Sequence, residues 1–350
     1  MARYHLLLNL LGTSCLLLLL AACSFSAGAS SAATSKKADL LRSASVSIPL
    51  GTTFYTYRGH TSSVFGVAWS PDGHRIASAS LDGTVQVWDD TTGNHSLIYH
   101  GHAGPVFTAA WSPDGKFIAS GGYDKTVQVW DATTGKRLLT YRGHAALVNA
   151  VSWSSDDHYI ASASDDGTVQ IWDARTGKHL VTYPDHPDHV TDVQWSPDGK
   201  RIAAASDNGT AQIWDVTTGR HLLTYGDHYD GIWSLTWSPD GTRIASTSVH
   251  ATVQVWNART GNTILTYSGH SNYVHIVAWS PDGKYIASGG ADQTVRIWNA
   301  DTGNTLLTYP MQYTTVVTLA WSLDGTHIAS AGLDQVNALV GQVVQVWQAA

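Results

Sequence analysis

Along most of this chain apolar and polar residues alternate in short runs of five or six, the two-residue period of a half-buried β-strand. One set of four such runs covers Val106 to Trp111, Phe117 to Gly121, Thr126 to Trp130 and Arg137 to Tyr141. The third, Thr126-Val127-Gln128-Val129-Trp130, is β-branched and strictly alternating, as a strand in a packed sheet should be. Between the first two lies Ser112-Pro113-Asp114-Gly115, with Pro at the second turn position and Gly at the fourth. That order suits a type I turn joining antiparallel strands. The pattern predicts four strands, here lettered a to d.

The set repeats. The closing tryptophan of strand c recurs at Trp88, Trp130, Trp172, Trp214, Trp256 and Trp298, always 42 residues apart. The tryptophan ending strand a recurs at the same spacing, at Trp69, Trp111, Trp153, Trp195, Trp237, Trp279 and Trp321. A fixed period near 40 to 45 residues, opening on Gly-His and closing on Trp-Asp, marks propeller blades, each of which buries its faces only against its neighbours. Segments of type d end at Tyr57, Tyr99, Tyr141, Tyr183, Tyr225, Tyr267 and Tyr309, one for each of the seven a-b-c groups. The two series are out of phase: the first d segment, Thr53 to Tyr57, precedes every a segment, and the last c segment, Val343 to Trp347, has no d after it. The expectation is an all-β, seven-bladed ring in which Thr53 to Tyr57 completes the last blade and removes an open sheet edge.

On these residues, 52–350 resembles a WD-repeat β-propeller of bacterial type. In that family the repeated His bonds a Ser of strand b, an Asp of the b–c turn and the closing Trp. The resemblance implies four complete sets: His60, Ser78, Asp82, Trp88; His102, Ser120, Asp124, Trp130; His144, Ser162, Asp166, Trp172; and His270, Ser288, Asp292, Trp298. The fourth unit has Ala204 and Asn208 in place of Ser and Asp, the fifth has His250 in place of Asp, and the seventh has Gln312 in place of His. Those blades are expected to be the softer part of the ring. Seventeen His residues therefore carry no catalytic implication by number, because copies spread round a ring cannot converge on one substrate atom.

Composition adds limits. Net charge is −7, so the chain lacks the basic surface that nucleic acid requires. Cys15 and Cys23 are the only cysteines, which rules out a disulfide framework. Residues 1–22 have one early positive charge, Arg3, followed by an apolar run, the layout of a secretory signal. The run ends in Leu20-Ala21-Ala22-Cys23, which resembles the lipobox of bacterial lipoproteins. That resemblance implies cleavage before Cys23, a lipid on its thiol, and a protein held on the outer face of the cell membrane. An uncleaved anchor is the alternative, although the apolar run is short for a span. Residues 23–51 are rich in Ser and Ala and read as a flexible tether.

Function is then sought where the units differ. In WD-repeat propellers the d–a and b–c loops share the top face, around the channel mouth, where partners often bind. The matching positions point to Phe65, Leu81, Phe107, Tyr123, Leu147, Asn149, Trp233, Tyr273, His275 and Leu333 as the binding residues, with Pro105 beside them. Trp233 is the one tryptophan of fifteen outside the paired framework. With Phe65, Phe107, Tyr123 and Tyr273 it is expected to set exposed aromatics round this face, or else to fill the channel mouth. Blade seven also carries an insertion within Gln335 to Gln342, which either binds a partner or covers the channel. Asp185, His186, Asp188 and His189, near Asp165 and Asp207, form the one local acid–His cluster, but no metal-ligand spacing is matched.

No G-x-x-x-x-G-K-[ST], G-x-G-x-x-G or G-x-S-x-G motif occurs, and no cofactor or metal is expected. The expected function is a monomeric, non-enzymatic protein- or peptide-binding scaffold displayed outside the membrane. A carbohydrate-binding protein and a propeller enzyme with a channel active site are the alternatives.

Overall fold

A computed structural model describes residues 48–183, 188–228, 230–311, 314–334 and 343–349. The signal, Cys23, most of the tether, Asp185, His186, Gln312 and the insertion at 335–342 lie outside the described residues. The rest is all strand: seven four-stranded antiparallel sheets, each in the order a-b-c-d, arranged as a seven-bladed propeller. Blade two is typical, with Val106–Trp111, Phe117–Gly122, Val127–Asp131 and Arg137–Tyr141. Its strand c begins and ends one residue later than the alternation suggests.

Blade seven combines Thr314–Trp321, His327–Asp334 and Val344–Gln348 with Thr53–Tyr57 from the other end of the propeller. Thr53–Tyr57 pairs antiparallel with Val344–Gln348, Tyr57 opposite Val344 and Thr53 opposite Trp347. Gly51 N–H donates to Gln348 O (2.8 Å) and Gln348 N–H to Thr52 O (2.9 Å), extending the seam by one turn of chain. The ring is closed as the phase of the repeats predicts.

The sequence repeat becomes a packing repeat between blades. Each d-strand Tyr lies flat on the c-strand Trp of the next blade: Tyr57 on Trp88 at 4.3 Å and 2°, Tyr99 on Trp130 at 4.5 Å and 8°. At five of these stacks the Tyr hydroxyl donates to a Gln two residues before that Trp, as Tyr99 does to Gln128 (2.6 Å). This explains the Gly of the Gly-His opening. A Cβ on Gly101 would fall 2.2 Å from the Tyr99 hydroxyl, and one on Gly59 would fall equally close to that of Tyr57. Units four and five carry Asp185 and Asp227 there instead. In blade four the Tyr183–Trp214 stack opens to 4.8 Å and 28°.

Turn chemistry is equally regular. In Ser112-Pro113-Asp114-Gly115 the Gly115 N–H donates to Ser112 O (2.9 Å) while Asp114 Oδ1 accepts from the Ser112 hydroxyl (2.7 Å). Gly115 has φ +70°, and in blade three Asp157 takes the same left-handed conformation (φ 63°). Asp is among the few side chains that tolerate that region.

Candidate functional site

The d–a loops and b–c turns gather at one face, here the top, and the His networks brace it from beneath. His60 Nδ1–H donates to Asp82 Oδ2 (2.8 Å), leaving Nε2 to accept from the Ser78 hydroxyl (2.8 Å), whose oxygen accepts from Trp88 Nε1–H (3.1 Å). The same chain runs through His102, Asp124, Ser120 and Trp130. It recurs through His144, Asp166, Ser162 and Trp172, and through His270, Asp292, Ser288 and Trp298. Burial pushes the Asp166 carboxyl up, but bonds from His144, Thr168 and the Ala145 N–H outweigh it and hold the group at about 2. Asp292 behaves alike, and Asp82 and Asp124 lie lower still.

Two units differ as their sequences suggest. In blade five His228 keeps its bond to Ser246 (2.7 Å), but with His250 in place of the acid its buried Nδ1 has no partner among the described residues. Burial, the largest effect, lowers His228 to about 4, against the pull of Asp227. Strand a of this blade shrinks to Leu235–Trp237. In blade seven Ser330 donates to Met311 Sδ (3.4 Å) and accepts from Trp347 (3.0 Å).

The expected ring of exposed aromatics is corrected. Phe65, Phe107 and Leu333 are buried, packing with Val317 into an apolar cluster on which Leu81 and Leu147 rest, and the Phe65 and Phe107 rings meet edge to face at 5.8 Å. Asn149 and His275 are buried too. The cause is a β-bulge near the start of strand a. The register slips between Val64 and Gly66, Val106 and Thr108, Val148 and Ala150, Val190 and Asp192, Val274 and Ile276, and Val316 and Thr318. The extra residue is left out of the pairing and its side chain is re-aimed. Here it links one blade to the next. Asn149 Nδ2 donates to Val190 O (2.9 Å), Thr191 Oγ1 to Ile232 O (2.6 Å), and Trp233 stacks on His275 at 4.2 Å and 6°.

What stays at the surface is Tyr123 (49 % exposed) and Tyr273 (46 %), with Leu81, Leu147 and Trp233 half-buried. Tyr273 stands edge-on to Trp233 at 6.0 Å. Below the apolar cluster lies a channel cavity of about 610 Å³, lined by strand a residues including Ala68, Thr108, Ser152, Gln194 and Thr318. Asp192 is the one ionisable side chain among its lining residues, and both its oxygens accept backbone N–H groups, Oδ1 from Val193 (2.8 Å) and Oδ2 from Leu235 (3.0 Å). Through these two bonds the carboxylate ties strand a of blade four to strand a of blade five.

The acid–His cluster assembles around His189, whose Nδ1 is 3.8 Å from Asp165 Oδ1 and whose Nε2 is 3.8 Å from Asp188 Oδ1. Asp165 also accepts from Asn149 Nδ2 (2.7 Å). Among the described residues no group of three or more His, Cys, Asp or Glu is placed to hold a metal. Burial is the main reason that Asp207 is raised to about 6; His189 opposes it, and Asp188 and Asp165 add to it. Because the folded chain binds this proton more tightly than the unfolded one, stability falls as pH rises from about 4 through 6. Asp207→Asn is therefore expected to stabilise by about 1–2 kcal/mol at pH 7, after allowance for partial solvent screening. The gain should vanish below pH 4, as urea melts at the two pH values would show.

Sequence reasoning missed the bulge layer, and only the clustering of large or polar residues one place after the Val of strand a could have hinted at it. It found the exposed Tyr123 and Tyr273.

Comparison with known proteins agrees with the architecture. The family model described as WDR19 first beta-propeller matches residues 106–275, and the model described as WD domain, G-beta repeat matches residues 51–89 and 261–299. A Protein HIRA homolog of Drosophila melanogaster is 48% identical over 44 residues, 13% of this chain and 4% of that protein. The vegetative incompatibility protein HET-E-1 of Podospora anserina is 53% identical over 38 residues, 11% of this chain and 3% of its own length. Striatin-4 of Mus musculus is 41% identical over 44 residues, 13% and 6%. The matched stretch is thus about one blade long and spans a small fraction of each relative. These findings support a WD-repeat propeller.

Proposed function

We propose that this WD-repeat propeller is a non-enzymatic platform that holds a protein or peptide on its top face, displayed outside the cytoplasmic membrane on a lipid attached to Cys23. The observation that carries the reading is the surviving exposed aromatic set, Tyr123 and Tyr273 with half-buried Trp233, on the face where the repeats differ most. Rigidly backed aromatics of this kind are characteristic of protein-binding hot spots. The channel supports the same reading, since the one ionisable side chain lining it is spent on backbone N–H groups. The WD-repeat matches support a protein-interaction scaffold. The anchor rests on the sequence Leu20-Ala21-Ala22-Cys23 and on the Ser- and Ala-rich stretch after it.

One experiment tests both parts. A photo-crosslinking residue at Tyr123 should give a discrete protein adduct in membranes, while the same residue at Leu138, exposed on the outer strand of blade two, should not. Adding Cys23→Ala should move that adduct to the soluble fraction. Equal crosslinking from both positions would count against the top face, and retention in the membrane would count against the lipid anchor.

A further inference from the structure

The top face is divided by chemistry. One arc, over blades seven and one to three, is apolar: Leu81 and Leu147 sit half-buried on the Phe65, Phe107, Val317 and Leu333 cluster, and Tyr123 is exposed in the b–c turn of blade two, at the position Leu81 takes in blade one. The next arc is acidic, with Asp165, Asp188, Asp207 and Asp230 from the loops and turns of blades three to five. The two arcs touch, because Asp165 N–H donates to Leu147 O (3.1 Å). No Lys or Arg occurs in the b–c turns 164–168, 206–210 and 248–252, or in the d–a loops 184–189 and 226–234. Arg58, Lys125 and Arg142 belong to the loops and turns of the apolar side, and Arg296 of blade six lies 3.8 Å from Asp292 of its own b–c turn.

Among the described residues, histidines lie closest to these carboxylates. His189 lies between Asp165 and Asp188, and exposed His250 Nε2 is 2.8 Å from Asp230 Oδ2. Burial is the main reason that Asp207 holds its proton up to about pH 6, and repulsion from Asp188 and Asp165 adds to it. A cation brought here gains attraction and relieves that repulsion, while one brought to the apolar side meets Lys125 and Arg142. The face therefore has a direction.

Resting on the scaffold reading above, we propose that the occupant is a peptide segment in which an apolar side chain is followed by Lys or Arg residues. The apolar group seats on Leu81, Tyr123 and Leu147, and the basic residues lie over Asp188, Asp207 and Asp230. Complementary charge selects the partner and orients it, and apolar burial supplies the anchor.

The test is fluorescence anisotropy with the full chain and three labelled synthetic peptides: Leu-Leu followed by four Lys, Leu-Leu followed by four Glu, and Gly-Gly followed by four Lys. The first is expected to bind about tenfold or more tighter than either other. The triple variant Asp188→Asn, Asp207→Asn, Asp230→Asn should lose about tenfold for it, with a weaker salt dependence. Tyr123→Ala should lose about fivefold. If the triple variant does not fold, Asp188→Asn alone, at an exposed position, serves with an expected loss of about threefold. The proposal is overturned if the Leu–Glu peptide binds as well as the Leu–Lys peptide, or if the Gly–Lys peptide does, which would mean bare charge attraction. Tight Leu–Glu binding that is lost in Tyr123→Ala would keep the top-face scaffold and remove its basic selectivity. Absence of any binding sensitive to Tyr123→Ala would remove both.

Discussion

A chain lacking Thr53–Tyr57 is expected to melt about 10 °C or more below the intact protein and to lose a single cooperative transition. The strand contributes backbone pairing along Val344–Gln348 and the stack of Tyr57 on Trp88. Tyr57 is fully buried and donates to Gln86 (2.5 Å), so losing a side chain of this size alone costs about 3–5 kcal/mol. For a domain of this size each kcal/mol is worth roughly 2–4 °C. The deletion also leaves Val344–Gln348 as an unpaired strand edge, which favours association between chains. Calorimetry with light scattering reads both effects. An unchanged midpoint would show that the ring does not depend on this seam.

Ser120→Ala has the second largest expected effect, a loss of about 2–4 kcal/mol in urea unfolding. The hydroxyl is small, but two buried groups depend on it. Trp130 Nε1–H donates to its oxygen at 3.1 Å, and it donates in turn to His102 Nε2 at 2.8 Å. Both partners are fully or nearly fully buried, so no water replaces the lost bonds. Ser120→Thr or Ser120→Cys separates the hydrogen bond from packing, because each keeps or enlarges the volume. A cost under about 0.5 kcal/mol for the Ala variant would mean that the network orders the turn without stabilising the blade. The chain already has Ala at this position in blade four, Ala204, which is also where the Tyr–Trp stack is most open.

The fold was legible because the information is redundant. Trp130 alone says little, but the same residue every 42 positions fixes the blade length, and a d segment arriving before the first a segment fixes the closure. The weaker networks were legible too, since Ala204 and His250 each break a repeated column. The surface was not. Phe65 and Phe107 looked like rim residues by their position after the His, whereas each is the residue where the strand register slips, and both turn into the ring. A bulge adds one unpaired residue without changing composition or spacing between blades, so a period common to all blades conceals it. Tyr123 and Tyr273 were placed correctly because they, or their neighbours, lie in turns that no bulge re-aims. The acidic character of blades three to five was present in the letters, but adjacency of Asp165, Asp188 and Asp207 needs the ring.

The seam in blade seven has a topological consequence. Gly51 and Gln348 are one hydrogen bond apart, so a short linker joining them would leave a ring with no privileged start. Blades one to six each have a c–d turn at which such a ring could be cut, and a cut between Asp131 and Arg137 would reproduce the present arrangement two blades on. In the language of circular permutation, the architecture fixes how the ends must meet and leaves open where they do.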